Sequence, residues 1–147
     1  MGLREARRDE VPLIVAMLLD DHLGKGREDM GDMTPYLKAF DAIAADPFNT
    51  QYVWDENGEV LGCLQLTVIP GISQQGAWRA QIEGVRVAGA KRGSGIGHKM
   101  MHAVMAIARE RGCVQMQLTT NKVRHDAQRF YETLGFEKSH EGMKVKL

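Results

Sequence analysis

Cysteine is scarce in this sequence: two residues, Cys63 and Cys113, in 147. Both lie in apolar runs with no Cys-x-x-Cys spacing, so neither a disulfide framework nor a thiolate metal site is expected. Two buried free thiols in a reducing cytoplasm fit that usage. An excess of either charge is also missing, since 19 Lys and Arg balance 19 Asp and Glu. Nucleic acid is therefore not expected as a partner, because its recognition starts from a basic surface. No apolar run approaches the ~18 residues that mark a membrane span. The start, Met1-Gly2-Leu3-Arg4-Glu5, lacks the apolar core of a leader peptide. Ala6 stands where a myristoylation motif carries Ser or Thr, so no membrane association is expected.

What is present is an ordinary globular composition, 44% hydrophobic and 26% charged. A chain of this length buries a real core, and we expect one domain over residues 1–147. A strand is expected over Leu3–Ala6. Asp9 then reads as a helix cap, with Pro12 in the first turn. Val11, Ile14, Val15, Leu18 and Leu19 follow helical spacing to about His22. Leu23–Met33, with Gly24, Gly26 and Gly31, reads as a loop. A second helix starts at Thr34-Pro35 and stops at Asp46-Pro47. Gln51–Trp54 and Val60–Ile69 flank Asn57-Gly58, a strong hairpin signal. Trp78–Val87 reads as a strand, Ala88–Gly95 as a glycine-rich loop, and Ile96–Ala108 as a long helix stopped at Gly112. Val114, Met116 and Leu118 alternate with polar residues as a half-buried strand does. A short helix around Ala127–Leu134 ends at Gly135. A closing strand pair is expected at Phe136–Lys138 and Met143–Leu147. The order of elements is mixed α/β.

The strongest local signal is Gln81-Ile82-Glu83-Gly84-Val85-Arg86-Val87 followed by Lys91-Arg92-Gly93-Ser94-Gly95-Ile96-Gly97. A strand feeds a loop whose glycines let backbone N–H groups converge, and the loop opens a helix. Free N–H donors at the positive end of a helix dipole make an anion site, and Lys91 and Arg92 add charge. A phosphate or diphosphate is the natural occupant. The loop lacks the Gly-Lys-Ser/Thr ending of a P-loop. It also lacks the acidic strand end of a dinucleotide fold, because Glu110 falls inside a helix.

Arg92-Gly93-Ser94-Gly95-Ile96-Gly97 matches the R/Q-x-x-G-x-G/A signature of the GNAT superfamily of N-acetyltransferases, and the chain resembles that family. Val85-Arg86-Val87, Asn121, and Arg129-Phe130-Tyr131 through Leu134-Gly135-Phe136 are similar to its flanking and closing segments. Thr119-Thr120-Asn121, Arg124-His125-Asp126-Ala127 and Ser139-His140 most resemble the aminoalkylphosphonate N-acetyltransferases. Ala88-Gly89 departs from the proline many relatives carry after the strand.

The resemblance implies a mixed, largely antiparallel sheet with helices on both faces and two splayed central strands. It implies acetyl-CoA as co-substrate, lying between the Val85–Val87 and Val114–Thr119 strands. Backbone groups of Val85, Arg86 and Val87 would meet the pantetheine arm. Arg92, Gly93, Ser94, Gly95, Ile96, Gly97 and His98 would hold the diphosphate, and Asn121, Gln128 and Tyr131 would close the other side. The expected reaction is direct attack of a small molecule's primary amine on the thioester. Tyr131 is the candidate acid for the leaving thiolate. Glu83 is the candidate base, sharing strand parity with Val85 and Val87. A backbone N–H is the usual partner for the developing oxyanion. His98 and His102 are four apart on one helix, but no third ligand is evident and no metal is expected. His125-Asp126 reads as a helix cap. Trp78, Arg79, Arg27 and the Lys25–Met33 loop are candidates for the acceptor pocket. A homodimer follows from the resemblance alone. A peptide amine as acceptor, or a coenzyme-binding sensor without turnover, remain the alternatives.

Overall fold

The computed structural model describes residues 1–21 and 26–147. Five strands form one sheet in the order β1-β2-β3-β4-β5. They are β1 (Gly2–Glu5), β2 (Asn49–Glu56), β3 (Glu59–Ile69), β4 (Trp78–Val87) and β5 (Cys113–Gln117). All neighbours are antiparallel except β4 and β5, which are parallel. The helices are α1 (Val11–Leu19), α2 (Thr34–Ala45), the single turn α3 (Ser73–Gly76), α4 (Ile96–Glu110) and α5 (His125–Thr133). The expected mixed, largely antiparallel sheet is thus present. The described chain divides into two compact units, Met1–Gln117 and Leu118–Leu147.

Local chemistry explains the joints. Asn57 and Gly58 both take left-handed backbone angles (φ +55° and +85°), as a tight hairpin of the right twist requires. Asp55 Oδ1 accepts the Gly58 amide at 2.7 Å. Asp9 does not cap α1. A 3-10 turn at Arg8–Glu10 precedes the helix, and the Arg7 amide donates to Glu10 Oε1 at 2.8 Å. Pro12 sits in the first turn of α1, where its missing N–H costs nothing. Thr34 is already helical, and its amide donates to Asp32 Oδ1 at 3.0 Å.

The first unit buries its core on both faces of the sheet. Val53 and Cys63 are paired across β2 and β3, and with Ile14 of α1 they form one buried cluster. On the other face a Cβ at Gly62 would stand 2.4 Å from Met100 Sδ, so α4 packs directly on β3 there. Leu64, Leu66, Met100, Met101 and Val104 are almost wholly buried, each side chain worth roughly 1.5–3 kcal/mol. The expected final strands do not form: no strand follows Gln117 among the described residues. Met143 and Val145 are 95% and 82% exposed. Their alternation supplies a face, but a strand also needs a ladder partner, and residues 136–147 have none among the described residues.

Candidate active site

β4 is the element on which the site is built. Its pairing with β5 runs from Trp78↔Cys113 to Gln81↔Gln117 and then stops, while β4 continues to Val87. From Ile82 onward the edge of β4 that faces away from β3 carries no paired strand among the described residues. β5 itself ends at Gln117, so the backbone amides and carbonyls of that edge of β4 are left to other partners.

The same stretch holds a β-bulge. β3 advances two residues from Cys63 to Gln65, while β4 covers three from Arg86 to Glu83. Gly84 takes φ +60°, which only glycine adopts without strain. The bulge corrects the parity expected for Glu83. Paired residues share a face, and Glu83 pairs with Gln65 while Arg86 pairs with Cys63. Glu83 therefore shares its face with Arg86, and Val87 lies on the other. The Glu83 side chain is exposed, not buried in the strand. Cys63 lies directly behind the bulge and is fully buried, its Sγ donating to the Gly84 carbonyl at 3.6 Å. Burial pushes its thiol up to about 12.

After Val87 the chain turns through Gly89–Lys91 into the glycine loop. Gly93 and Gly95 take φ +81° and +89°, and a Cβ on either would meet nothing within 4 Å. The glycines are needed for torsion, and the backbone is left open to approach. The amides of Lys91, Ser94 and Lys99 bond inside the loop and the first turn of α4. Among the described residues, the amides of Gly93, Ile96 and Gly97 make no hydrogen bond. They are unsatisfied donors at the entrance of a 15-residue helix, which suits an anion.

Two arginines assigned to the coenzyme by resemblance have protein partners. Arg86 Nη2 donates to Asp21 Oδ2 at 3.0 Å, and its Nη1 donates to the Val85 carbonyl at 2.8 Å. That pair is largely buried, so the Arg86 side chain ties β4 to the end of α1 rather than facing a ligand. Arg92 Nη2 donates to the Asp20 carbonyl at 2.7 Å and to its carboxylate at 3.3 Å. This second pair is exposed and weakly held. Asp20 and Asp21 thus fasten the end of α1 to both the bulged strand and the loop, a role that nothing in their sequence spacing announces.

Asn121, Gln128 and Tyr131 lie in the second unit. The Gln128 side chain donates to the carbonyls of Asn121 and Lys122, both at 3.1 Å, and braces that loop on α5. Tyr131 packs edge-on against Phe130 and Phe136, with ring centres 5.1 and 5.6 Å apart. Its carbonyl accepts the Leu134 and Phe136 amides that close the helix. In the first unit, Trp78 meets Phe48 edge-on at 6.0 Å. Tyr36 donates to Glu28 at 3.1 Å and accepts the Asp29 amide at 2.8 Å, which orders the part of the loop before α2. Lys25 lies outside the described residues. His98 and His102 are exposed on α4, and no cluster of three metal-ligating side chains occurs among the described residues.

Gln81 and Gln117 escaped the sequence reading. Gln117 donates to Gln81 at 2.9 Å, and Gln81 donates to Glu83 at 2.7 Å. The period-two spacing of Gln81 with Glu83 was visible; the cross-strand register of Gln81 and Gln117 was not. The bulge had a signal too, since an isolated glycine inside a strand pattern marks one.

An unpaired strand edge followed by a glycine-lined helix entrance is an arrangement that suits a phosphate-bearing ligand. The Acetyltransferase (GNAT) family matches residues 15–136, and the chain belongs to that family. It is an acetyltransferase whose family draws the acetyl group from acetyl-CoA. Over 133 residues it is 30% identical to the aminoalkylphosphonate N-acetyltransferase of Salmonella typhimurium, covering 90% of this chain and 80% of that one. A solved structure named as a transcriptional regulator from Bacillus halodurans is 45% identical with a TM-score of 0.93, covering 99% and 98% of the two chains. A putative acetyltransferase from Agrobacterium tumefaciens, 23% identical, shares the fold over the whole of both chains with a TM-score of 0.87.

Proposed function

We propose that the protein transfers the acetyl group of acetyl-CoA to the primary amine of a small molecule, an aminoalkylphosphonate or an amino-acid-like acceptor, within a ternary complex. The observation that carries this reading is the set of unbonded amides at Gly93, Ile96 and Gly97, one turn after a strand that has lost its partner. Those amides, with Ser94, Gly95 and His98, are the diphosphate cradle, and Arg92 joins them by leaving its exposed partner Asp20. The free edge of β4 at Val85–Val87 receives the pantetheine arm. The family resemblance adds Asn121, Gln128 and Tyr131 to the coenzyme-binding residues.

In the reaction, Glu83 takes a proton from the acceptor's ammonium, directly or through water. The neutral amine attacks the thioester carbonyl, the new C–N bond forms and the C–S bond breaks. Tyr131 gives its proton to the departing thiolate, the second proton of the attacking nitrogen passes back to the tyrosinate, Glu83 releases its proton to water, and free coenzyme A and the amide result. No acyl-enzyme is needed. Cys63 is sealed behind the bulge as a thiol, and burial also raises the Cys113 thiol. Two unpaired thiols suit a reducing cytoplasm.

The test is thiol release from acetyl-CoA with a panel of aminoalkylphosphonates, amino acids, polyamines and peptides. Turnover with a small primary amine is expected. Turnover with peptides alone would overturn the acceptor class. Tight coenzyme binding without thiol release from any amine would replace the enzyme with a sensor.

A further inference from the structure

Glu83 is exposed on its strand, and an exposed glutamate ordinarily samples several rotamers. Here its carboxylate is held. Among the described residues it accepts one hydrogen bond, from Gln81 Nε2 to Oε1 at 2.7 Å. Gln81 lies two residues earlier on β4, so the two side chains share a face. A carboxylate only accepts, so Gln81 must turn its nitrogen toward Glu83 and its carbonyl oxygen toward β5. Only a donor fits that oxygen, and Gln117 Nε2 supplies it at 2.9 Å. The polarity of the whole row is therefore set by the charge at its end. The row crosses from β5 to β4 at Gln81↔Gln117, the last pair of their ladder. The carboxylate stands two residues further on, where β4 runs past the end of β5.

We infer that Gln81 and Gln117 are positioning residues that fix the Glu83 carboxylate by its Oε1 and present Oε2 to the acceptor's ammonium. The inference rests on the reading of Glu83 as proton acceptor and extends it to two residues that touch no reacting atom. The arrangement places the base just beyond the end of the β4–β5 ladder by a bond across its last pair. It also makes the base sensitive to the polarity, not merely the size, of residue 117.

Two measurements on the full chain test this. In side-chain amide 15N–1H spectra, the Gln81 resonance should differ between the parent and Glu83→Gln. The Gln117 amide should shift in Gln81→Met. A Gln81 resonance indifferent to Glu83→Gln would overturn the relay, whatever the acceptor. Kinetically, with the fastest amine of the panel, Gln81→Met should lower kcat about tenfold at unchanged KM for acetyl-CoA, the effect of one bond to a charged group. Gln117→Glu should be slower than Gln117→Met. A carboxylate at 117 accepts only, draws the Gln81 nitrogen toward β5, and turns the Gln81 carbonyl onto Glu83. Equal rates for these two variants would overturn the inference, because a merely structural Gln117 tolerates both alike. If Glu83→Gln itself keeps the full rate, the assignment of the base falls and the inference with it. If Glu83→Gln is slow while Gln81→Met and Gln117→Glu match the parent, only the relay falls.

Discussion

At Gly95 the demand is torsional. The residue takes φ +89° in open space, so alanine there clashes with nothing and is strained only in its own backbone. Gly95→Ala is expected to cost about 1–2 kcal/mol in the bound loop geometry, which reads as roughly tenfold weaker acetyl-CoA binding by calorimetry. This position was legible in the sequence because a glycine's freedom and a helix's start are both local properties. Glu83 was only half legible. Its strand was right, but its facing was inferred from an unbroken period of two, and the extra residue at Gly84 breaks that period. Glu83→Gln and Tyr131→Phe are each expected to lower kcat about 100-fold in the thiol-release assay while leaving acetyl-CoA binding in place, the scale of general acid–base catalysis. Full activity in either variant removes that residue from the mechanism.

Elements carry the next constraint. Gly62 lies where α4 crosses β3, and a Cβ there would stand 2.4 Å from Met100 Sδ and 3.1 Å from the Arg86 carbonyl. The sulfur can move, but the carbonyl belongs to the strand that holds the bulge. Gly62→Ala is expected to destabilise the fold by about 1–3 kcal/mol in urea unfolding. The junction of β1 and α1 hangs on a different bond. Glu10, 3% exposed, accepts Arg4 Nη1 and Nη2 at 2.9 and 2.7 Å, and the Arg7 amide at 2.8 Å. Arg4 chiefly, and then the Arg7 amide, hold its carboxyl below the usual range against the opposing cost of burial. A depressed folded value gives stability that is full above the unfolded value near 4.5 and lost as pH falls through the folded one. Glu10→Gln is expected to lose about 2 kcal/mol at pH 7 and to show a flatter acid limb in the stability–pH curve. Neither the Gly62 crossing nor the Arg4–Glu10 fork is announced by the sequence, because both depend on which elements meet. The closing strands failed for a related reason. Met143-Lys144-Val145-Lys146-Leu147 alternates as a strand should, yet pairing belongs to two segments and a pattern describes one.

For the molecule as a whole, the balance of 19 basic and 19 acidic residues removes any general attraction for an anion. The coenzyme's charge has to be met by local groups, and on the proposed reading these are the amides at the entrance of α4 with Lys91 and Arg92 beside them. The bulk of acetyl-CoA's affinity is therefore expected at its diphosphate end, although the chemistry happens at its thioester. Thermal unfolding separates the two ends. A ligand at one hundred times its Kd adds about 2.7 kcal/mol to the stability of the state it binds, or roughly 5–10 °C for a chain of this size. Acetyl-CoA is expected to give such a shift at sub-millimolar concentration, while acetyl-pantetheine, with the same thioester and no diphosphate, should give almost none. Gly95→Ala should reduce the first shift and leave the second where it was. Equal shifts from the two thioesters would mean that the free edge of β4 does the holding, and that the glycine corner only joins a strand to a helix.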